Sequence, residues 1–257
     1  MSNNENPIDW AAFYKAFEDR YRGSFDDIKN RLRFYVPILQ DAGVGRTLGP
    51  VLDLGAGRCE WLDLLHDTSI PAEGVDINPH SAKIGLDLGL SVTIADIFED
   101  LTKRPSNYYG AITAFHVIEH LEWKDQIRLI HAAYHSLNPG GLLIIEWPNP
   151  ENINVASQFF WLDPTHQRLL PWQLLSFMFE FCGFEQIQVE RFRPSVKSYS
   201  PEQNHNHPIA KFFKWLKIQS ILQPKEQDLL LPFITVGTDI ALIARKPDTI
   251  KNHIADY

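Results

Sequence analysis

The stretch Val51-Leu52-Asp53-Leu54-Gly55-Ala56-Gly57-Arg58-Cys59-Glu60-Trp61-Leu62 constrains this chain more than any other. Val51, Leu52 and Leu54 are strand residues of the kind covered on both faces of a parallel sheet. Gly55 and Gly57 permit a tight turn and let a ligand approach the backbone without meeting a Cβ. Trp61, Leu64 and Leu65 then recur at helical spacing. Strand, glycine turn and helix in that order read as the opening of an α/β sheet, and such sheets bind nucleotides at the carboxyl end of the first strand.

The glycine turn alone does not say which nucleotide. A dinucleotide fingerprint asks for a third glycine, and Glu60 occupies that place. An acidic side chain at a helix start also repels a pyrophosphate. The pattern points to an adenosine ligand without phosphates, S-adenosylmethionine, whose positive sulfonium suits the nearby Asp53. NAD and a ligand-free structural turn are the alternatives.

The 257 residues predict one large domain with appendages. A formal charge of -8 argues against a general nucleic-acid surface. Two cysteines, Cys59 and Cys182, cannot form a disulfide framework, and both sit in apolar helical patterns as expected of buried thiols. The polar start shows no signal peptide and no apolar run reaches the ~20 residues of a membrane span, so a soluble cytoplasmic chain is expected.

Ahead of the first strand, Trp10, Phe13, Tyr14, Phe17 and Tyr21 predict a helix with an aromatic stripe. Ser24 with Asp27 resembles a capping box for a second helix, running through Ile28, Leu32 and Tyr35 towards Pro37. These helices, within residues 1–46, form a helical cap, and Arg20 and Arg22 at their junction are placed to hold the donor's carboxylate. Solvated surface arginines are the alternative.

Beyond the glycine turn, strands and helices alternate over residues 47–190. Strands are expected at residues 72–77, 91–95, 111–115, 142–145 and 184–189, with the last at 234–244 inside a final core segment, 233–246. Helices are expected at 123–137 and from Pro171, and a tail at 247–257. Alternating strands and helices mean a doubly wound α/β sheet. Asp76 ends the second strand about 20 residues past the glycine turn, where an acid takes ribose hydroxyls, and Ile77 follows it. A turn cap is the competing role for Asp76. Asp96 and Ile97 end the third strand and suit an adenine, one accepting from its amine and the other packing on its ring.

The ordered set of Asp53-Leu54-Gly55-Ala56-Gly57, Gly74-Val75-Asp76, Ala95-Asp96-Ile97, His116 to Leu121 and Leu137-Asn138-Pro139-Gly140-Gly141 resembles the class I S-adenosylmethionine-dependent methyltransferases. The resemblance implies a Rossmann-like seven-stranded sheet of order 3-2-1-4-5-7-6 with strand 7 antiparallel. It implies donor contacts from Asp53, Gly55, Ala56, Gly57, Asp76, Ile77, Asp96, Ile97 and Phe115. A narrower likeness rests on Phe13 to Ser24, on Thr113 to Leu121, on Glu146-Trp147-Pro148-Asn149-Pro150-Glu151-Asn152 and on Leu162-Asp163-Pro164-Thr165-His166. These look like the methyltransferase domain of bacterial O-antigen chain terminators, which cap a surface polysaccharide by methylating its terminal sugar or a phosphate on it. Such enzymes often carry a kinase domain and a coiled coil afterwards. Neither follows within these residues, so a sugar hydroxyl is the expected acceptor.

Methyl transfer to oxygen is an in-line displacement that needs donor and acceptor held at about 3 Å, and a hydroxyl acceptor must lose its proton. His116, Glu119 and His120 follow the fourth strand, and His166 lies in the loop after the fifth. In one mechanism His116 or His166 is a general base and Glu119 orients a histidine. In the other, Glu119, His120, His116 and His166 hold a divalent metal. Small-RNA 2′-O-methyltransferases and ubiquinone-pathway O-methyltransferases are similar here, with Glu-x-x-Glu-His, but His116 replaces the first Glu. The metal-free route is the expectation, with a structural role for Glu119 and His120 as the third reading.

Residues 191–232 interrupt the alternation and form an expected insertion. His205 and His207 read as loop histidines. Residues 209–222 read as a basic amphipathic helix, with Lys211, Lys214 and Lys217 opposite Phe212, Phe213, Leu216 and Leu222. Such a helix either packs on its own sheet or touches an anionic membrane or a partner. The partners expected are thus a lipid-linked glycan acceptor and, through residues 209–222, the inner face of the cytoplasmic membrane or a glycosyltransferase. A methyltransferase for a small metabolite or RNA ribose, and a non-catalytic adenosine-binding module, are the alternative functions.

Overall fold

The computed structural model describes residues 8–192 and 236–248. Three helices come first: α1 (Trp10–Tyr21), α2 (Phe25–Leu32) and α3 (Tyr35–Asp41). Then follow β1 (Val51–Leu54), α4 (Glu60–Asp67), β2 (Ala72–Asp76), α5 (Pro79–Asp87), β3 (Val92–Ile94) and α6 (Ile97–Leu101). The second half holds β4 (Tyr109–Phe115), α7 (Trp123–Ser136), β5 (Leu137–Pro148), α8 (Trp172–Phe181), β6 (Glu185–Phe192) and β7 (Asp239–Arg245). The strands form one seven-stranded sheet in the order β3-β2-β1-β4-β5-β7-β6. Strand β7 runs antiparallel to both β5 and β6, and the other pairs are parallel. The doubly wound architecture and its order match the expectation.

All four residues of β1 are buried between β2 and β4, with Asp53 opposite Gly74 and Thr113. Alternate residues feed the two faces. Leu52, Leu54, Ile112 and Ile145 pack under α7 and α8 against Leu129, Ile130, Leu175 and Phe179. Val51, Ala111 and Ile144 pack on the other face against Leu32, Tyr35, Leu39, Trp61 and Leu65. Each Val, Leu, Ile or Phe among them contributes roughly 1.5–3 kcal/mol by leaving water.

Several boundaries differ from the sequence reading. The second helix divides, because residues 33–34 turn and Pro37 is taken into the first turn of α3, where no amide hydrogen is needed. Strand β5 begins at Leu137 rather than 142, so Asn138 to Gly141 belong to its start instead of to a break, with Gly140 at φ +78°. Strand β3 is shorter than expected, β4 begins at Tyr109, and β6 runs on to Phe192. Within the described residues β7 starts at Asp239, not 234. Only α1 covers the mouth of the sheet, whereas α2 and α3 are part of the core layer. His205, His207 and the proposed helix 209–222 lie outside the described residues, as do most of 191–232 and of the tail. Among the described residues no helix is long and apolar enough to cross a membrane. Both cysteines are free and buried.

Candidate functional site

The donor half is built at the carboxyl ends of β1 to β3. Gly55 and Gly57 take positive φ values of 73° and 52°. A Cβ on Gly55 would stand 2.4 Å from Cγ2 of Val117, so the segment after β4 packs directly on the glycine turn. Ala56 is buried beside it. Asp53 is buried and its Oδ1 accepts from Thr113 Oγ1 at 2.7 Å. Burial pushes its pKa up to about 7, against the opposing pull of Thr113 and Arg22. Asp76 accepts the Gly57 and Asn78 backbone N–H groups at 2.7 Å each. The turn-cap and ribose readings of Asp76 are therefore compatible, since a carboxylate offers about four lone-pair sites.

Asp96 caps α6, its Oδ1 accepting from Phe98 N and Glu99 N, and Ile97 opens that helix. Ile77 is largely exposed. Phe115 is buried, its ring turned into the core at 5.1 Å from Tyr35 and 5.5 Å from Trp61, so only its backbone is left for a ligand.

The two arginines expected to share the donor's carboxylate part company. Arg22 lies over the glycine turn, its Nη1 3.1 Å from where a Gly57 Cβ would be, and pairs with Glu18 at 2.8 Å. Arg20 is exposed and lies over the Tyr21 ring instead. The acidic Glu60 that argued against a pyrophosphate is buried and paired with Arg58 at 2.7 Å. Arg58 also donates to the Gly23 carbonyl, tying the α1–α2 junction to the turn. Sequence reasoning missed Arg58 because its partners are scattered along the chain.

The other half of the site follows β4. His116 has φ +56°, a left-handed conformation that costs a non-glycine residue about 1 kcal/mol or more. Its Nδ1 is 3.3 Å from Glu119 Oε1, and its Nε2 is 3.4 Å from Glu146 Oε1 and 3.5 Å from Asp239 Oδ1. Burial alone would lower the His116 pKa, but Glu119, Glu146 and Asp239 outweigh it and push it up to about 9. An imidazole held protonated cannot accept a proton at neutral pH. The three carboxylates around His116 thus work against the base role expected of it, and Glu119, His120 and His166 are the other ionisable groups at hand.

Those groups are close by. Glu119 is fully buried, and the ligand atoms of Glu119, His120 and His166 lie within 4.8 Å of one another. His120 Nδ1 meets Thr165 Oγ1 at 2.8 Å, and that hydroxyl donates to Asp163 Oδ1 at 2.6 Å. His166 Nδ1 meets the Phe160 carbonyl at 2.6 Å. Burial lowers the His120 pKa, keeping that ring neutral. Tyr14 of α1 donates to Asp163 Oδ2 at 2.8 Å and packs edge-on to His120. Helix α1 is also fixed over the donor side by Asn78, which donates to the Ala11 carbonyl.

The glycine turn and strand-end acids thus lie beside a cluster of ionisable side chains. The sequence profile of the family described as "Methyltransferase domain" matches residues 25–189, well over half of the chain. The chain belongs to this family. No curated protein matches it. Among solved structures, a SAM dependent methyltransferase from Archaeoglobus fulgidus is 28% identical, covering 91% of this chain and 100% of its own, with a TM-score of 0.73. Phosphoethanolamine N-methyltransferase 2 of Haemonchus contortus, solved with S-adenosyl-L-methionine, is 18% identical over 91% of this chain and 60% of its own, at a TM-score of 0.58. The [4+2]-cyclase SpnF shares the fold at 19% identity, 83% and 80% coverage and a TM-score of 0.54. The last case shows that the acceptor chemistry of this methyltransferase must be argued from its site, because a fold hosts several reactions.

A second group of side chains in the methyltransferase went unread in the sequence. Glu146 is buried, accepts from Tyr35 Oη at 2.5 Å and lies 3.1 Å from Arg31 Nη2. Arg31 also pairs with Asp239 at 2.7 Å. Burial works against ionisation of Glu146, but Arg31 and His116 hold its pKa below the usual carboxylate range. His116, Glu146 and Asp239 therefore form a charge-balanced knot with Arg31. Glu146 lay in a noted motif, yet nothing in the sequence announced that Arg31 of α2 and Asp239 of β7 would meet it.

Proposed function

We propose that this S-adenosylmethionine-dependent methyltransferase transfers its methyl group to oxygen on the terminal sugar of a bacterial surface polysaccharide, a hydroxyl in preference to a phosphate. The observation that carries transfer to oxygen is the position of Glu119, His120 and His166. They sit on the segment that Val117 seats against Gly55 and on the loop facing it. A hydroxyl must lose a proton as it attacks, and imidazole nitrogens beside a buried carboxylate are suited to handle it.

In the reaction the acceptor oxygen bonds to the methyl carbon as the C–S bond breaks. The electron pair stays on sulfur, turning the sulfonium into a neutral thioether, and the hydroxyl proton leaves through the histidine–carboxylate set. Arg22 over the glycine turn holds the donor's carboxylate, Asp76 its ribose, and Asp96 with Ile97 its adenine. The glycan acceptor is supported by the likeness of four sequence segments to O-antigen chain terminators. It is supported also by Phe159 and Trp161, left exposed on the stretch that leads to His166, which offer apolar faces to a sugar ring. A lipid-linked acceptor would bring the enzyme to the inner membrane face, with residues 209–222 as the contact.

Incubation with labelled S-adenosylmethionine and synthetic oligosaccharides, with and without a terminal phosphate, tests the reading. Label on a sugar oxygen is the expected result. Methylation of amines or ribose with no transfer to any glycan would overturn it.

A further inference from the structure

Helix α1 lies over the donor side, yet none of its residues is fully buried, so polar ties weigh heavily in setting where it sits. One such tie comes from Arg58, which stands on the glycine turn between Gly57 and Cys59 and is itself buried. Its Nε and Nη2 grip Glu60 Oε1 at 2.8 and 2.7 Å. Nη2 also donates to the Gly23 carbonyl at 3.0 Å, and Nη1 reaches Asp19 Oδ1 at 3.4 Å. One rigid guanidinium fork thereby joins the turn, the start of α4, the last turn of α1 and the peptide after Arg22. Gly23 is where this matters. It takes φ +101°, and with no Cβ the chain is free to swing there. Arg22 immediately precedes it, with Nη1 3.1 Å from where a Gly57 Cβ would stand. Glu18 fixes the Arg22 side chain at 2.8 Å, but that contact lies within α1 and travels with the helix. The bond from Arg58 to Gly23 refers Arg22 directly to the glycine turn.

We propose that Arg58 is a positioning residue: by holding the Gly23 carbonyl it seats Arg22 where Arg22 grips the donor's carboxylate. The inference rests on Arg22 making that contact, as proposed above. Arg58 acts through Arg22, because its own donors are turned to Glu60, Gly23 and Asp19. Loss of Arg58 should therefore be felt by ligands that carry the amino-acid carboxylate, and not by those that end at the sulfur.

Calorimetry on the full-length protein compares S-adenosylhomocysteine, which carries the carboxylate, with methylthioadenosine, which lacks the amino-acid tail. Arg58→Met alone would leave Glu60 buried and unpaired, so it is made together with Glu60→Gln and read against Glu60→Gln. The expected result is about a tenfold loss of affinity for S-adenosylhomocysteine and less than about twofold for methylthioadenosine. Arg58→Lys keeps the charge beside Glu60 but gives up the fork, and should show the same selective loss. Arg22→Ala added to the Arg58→Met pair should weaken S-adenosylhomocysteine no further than Arg22→Ala with Glu60→Gln, since both act on one contact. Equal losses for the two ligands, unchanged affinity for both, or additive losses with Arg22→Ala would overturn the proposal. If Arg22→Ala weakens both ligands equally, Arg22 does not hold the carboxylate and the role of Arg58 falls with it. A selective loss in Arg22→Ala with none in either Arg58 variant sinks the Arg58 assignment alone.

Discussion

Asp76 Oδ2 accepts the backbone N–H of Gly57 at 2.7 Å, so the acid at the end of β2 and the glycine turn after β1 are one unit. Its other oxygen holds Asn78 N at the start of α5. Removal of the carboxylate frees the turn and, on the proposed donor binding, also takes away the ribose acceptor. Asp76→Ala should weaken S-adenosylmethionine binding by at least about tenfold, given that hydrogen bonds to charged groups are worth roughly 1.5–3 kcal/mol. Calorimetry checks this. Unchanged affinity would remove Asp76 from the donor site.

Arg22 and Arg20 make a sharper pair. Arg22 is part-buried over Gly57, while Arg20 points to solvent. Arg22→Ala should cost donor affinity about 10-fold or more, because a guanidinium on a carboxylate is a charge-assisted contact. Arg20→Ala should leave the affinity within experimental error. Equal losses in the two variants would show that the junction acts through general charge rather than through one placed side chain.

The strand ends that carry the proposed donor half were legible in the sequence because each is local. Gly55, Gly57, Asp76 and Asp96 each sit at a strand end, and apolar runs with glycine breaks mark those ends. The sheet order came from the resemblance to class I methyltransferases, because apolar runs mark strands without saying which lie side by side. The other half is assembled from distant elements. Arg31 on α2, Glu146 on β5 and Asp239 on β7 meet at His116 only through packing, and no spacing rule links them. Pro37 misled for a related reason: a proline ends a helix, but it also fits the first turn of the next one.

The knot around His116 should show itself in stability against pH. Its folded pKa of about 9 exceeds the ordinary value of 6.5, so its contribution is complete below pH 6.5 and is lost as pH rises through 9. A shift of this size corresponds to at most about 3 kcal/mol at 1.36 kcal/mol per pH unit. Thermal melts in chelator should show Tm falling between pH 7 and pH 9.5, with a flatter profile in His116→Gln. Parallel profiles for the two proteins would mean that His116 is not the titrating group.

If the donor's sulfonium binds beside Asp53, as proposed, its charge is linked to a proton. In the free protein burial holds its pKa at about 7, so near neutrality roughly half the molecules carry the proton. A sulfonium bound beside Asp53 favours the ionised form, and S-adenosylmethionine binding at pH 7 should release up to about half a proton. The release should fade above about pH 8.5, where Asp53 is already ionised. S-adenosylhomocysteine, whose sulfur is neutral, should release less. The measurement is the dependence of calorimetric enthalpy on the ionisation enthalpy of the buffer, with Asp53→Asn expected to erase the difference between the two ligands. Equal proton release by both ligands in the native protein would place the sulfonium away from Asp53, leaving that carboxyl the structural task of holding Thr113 and the end of β1 together.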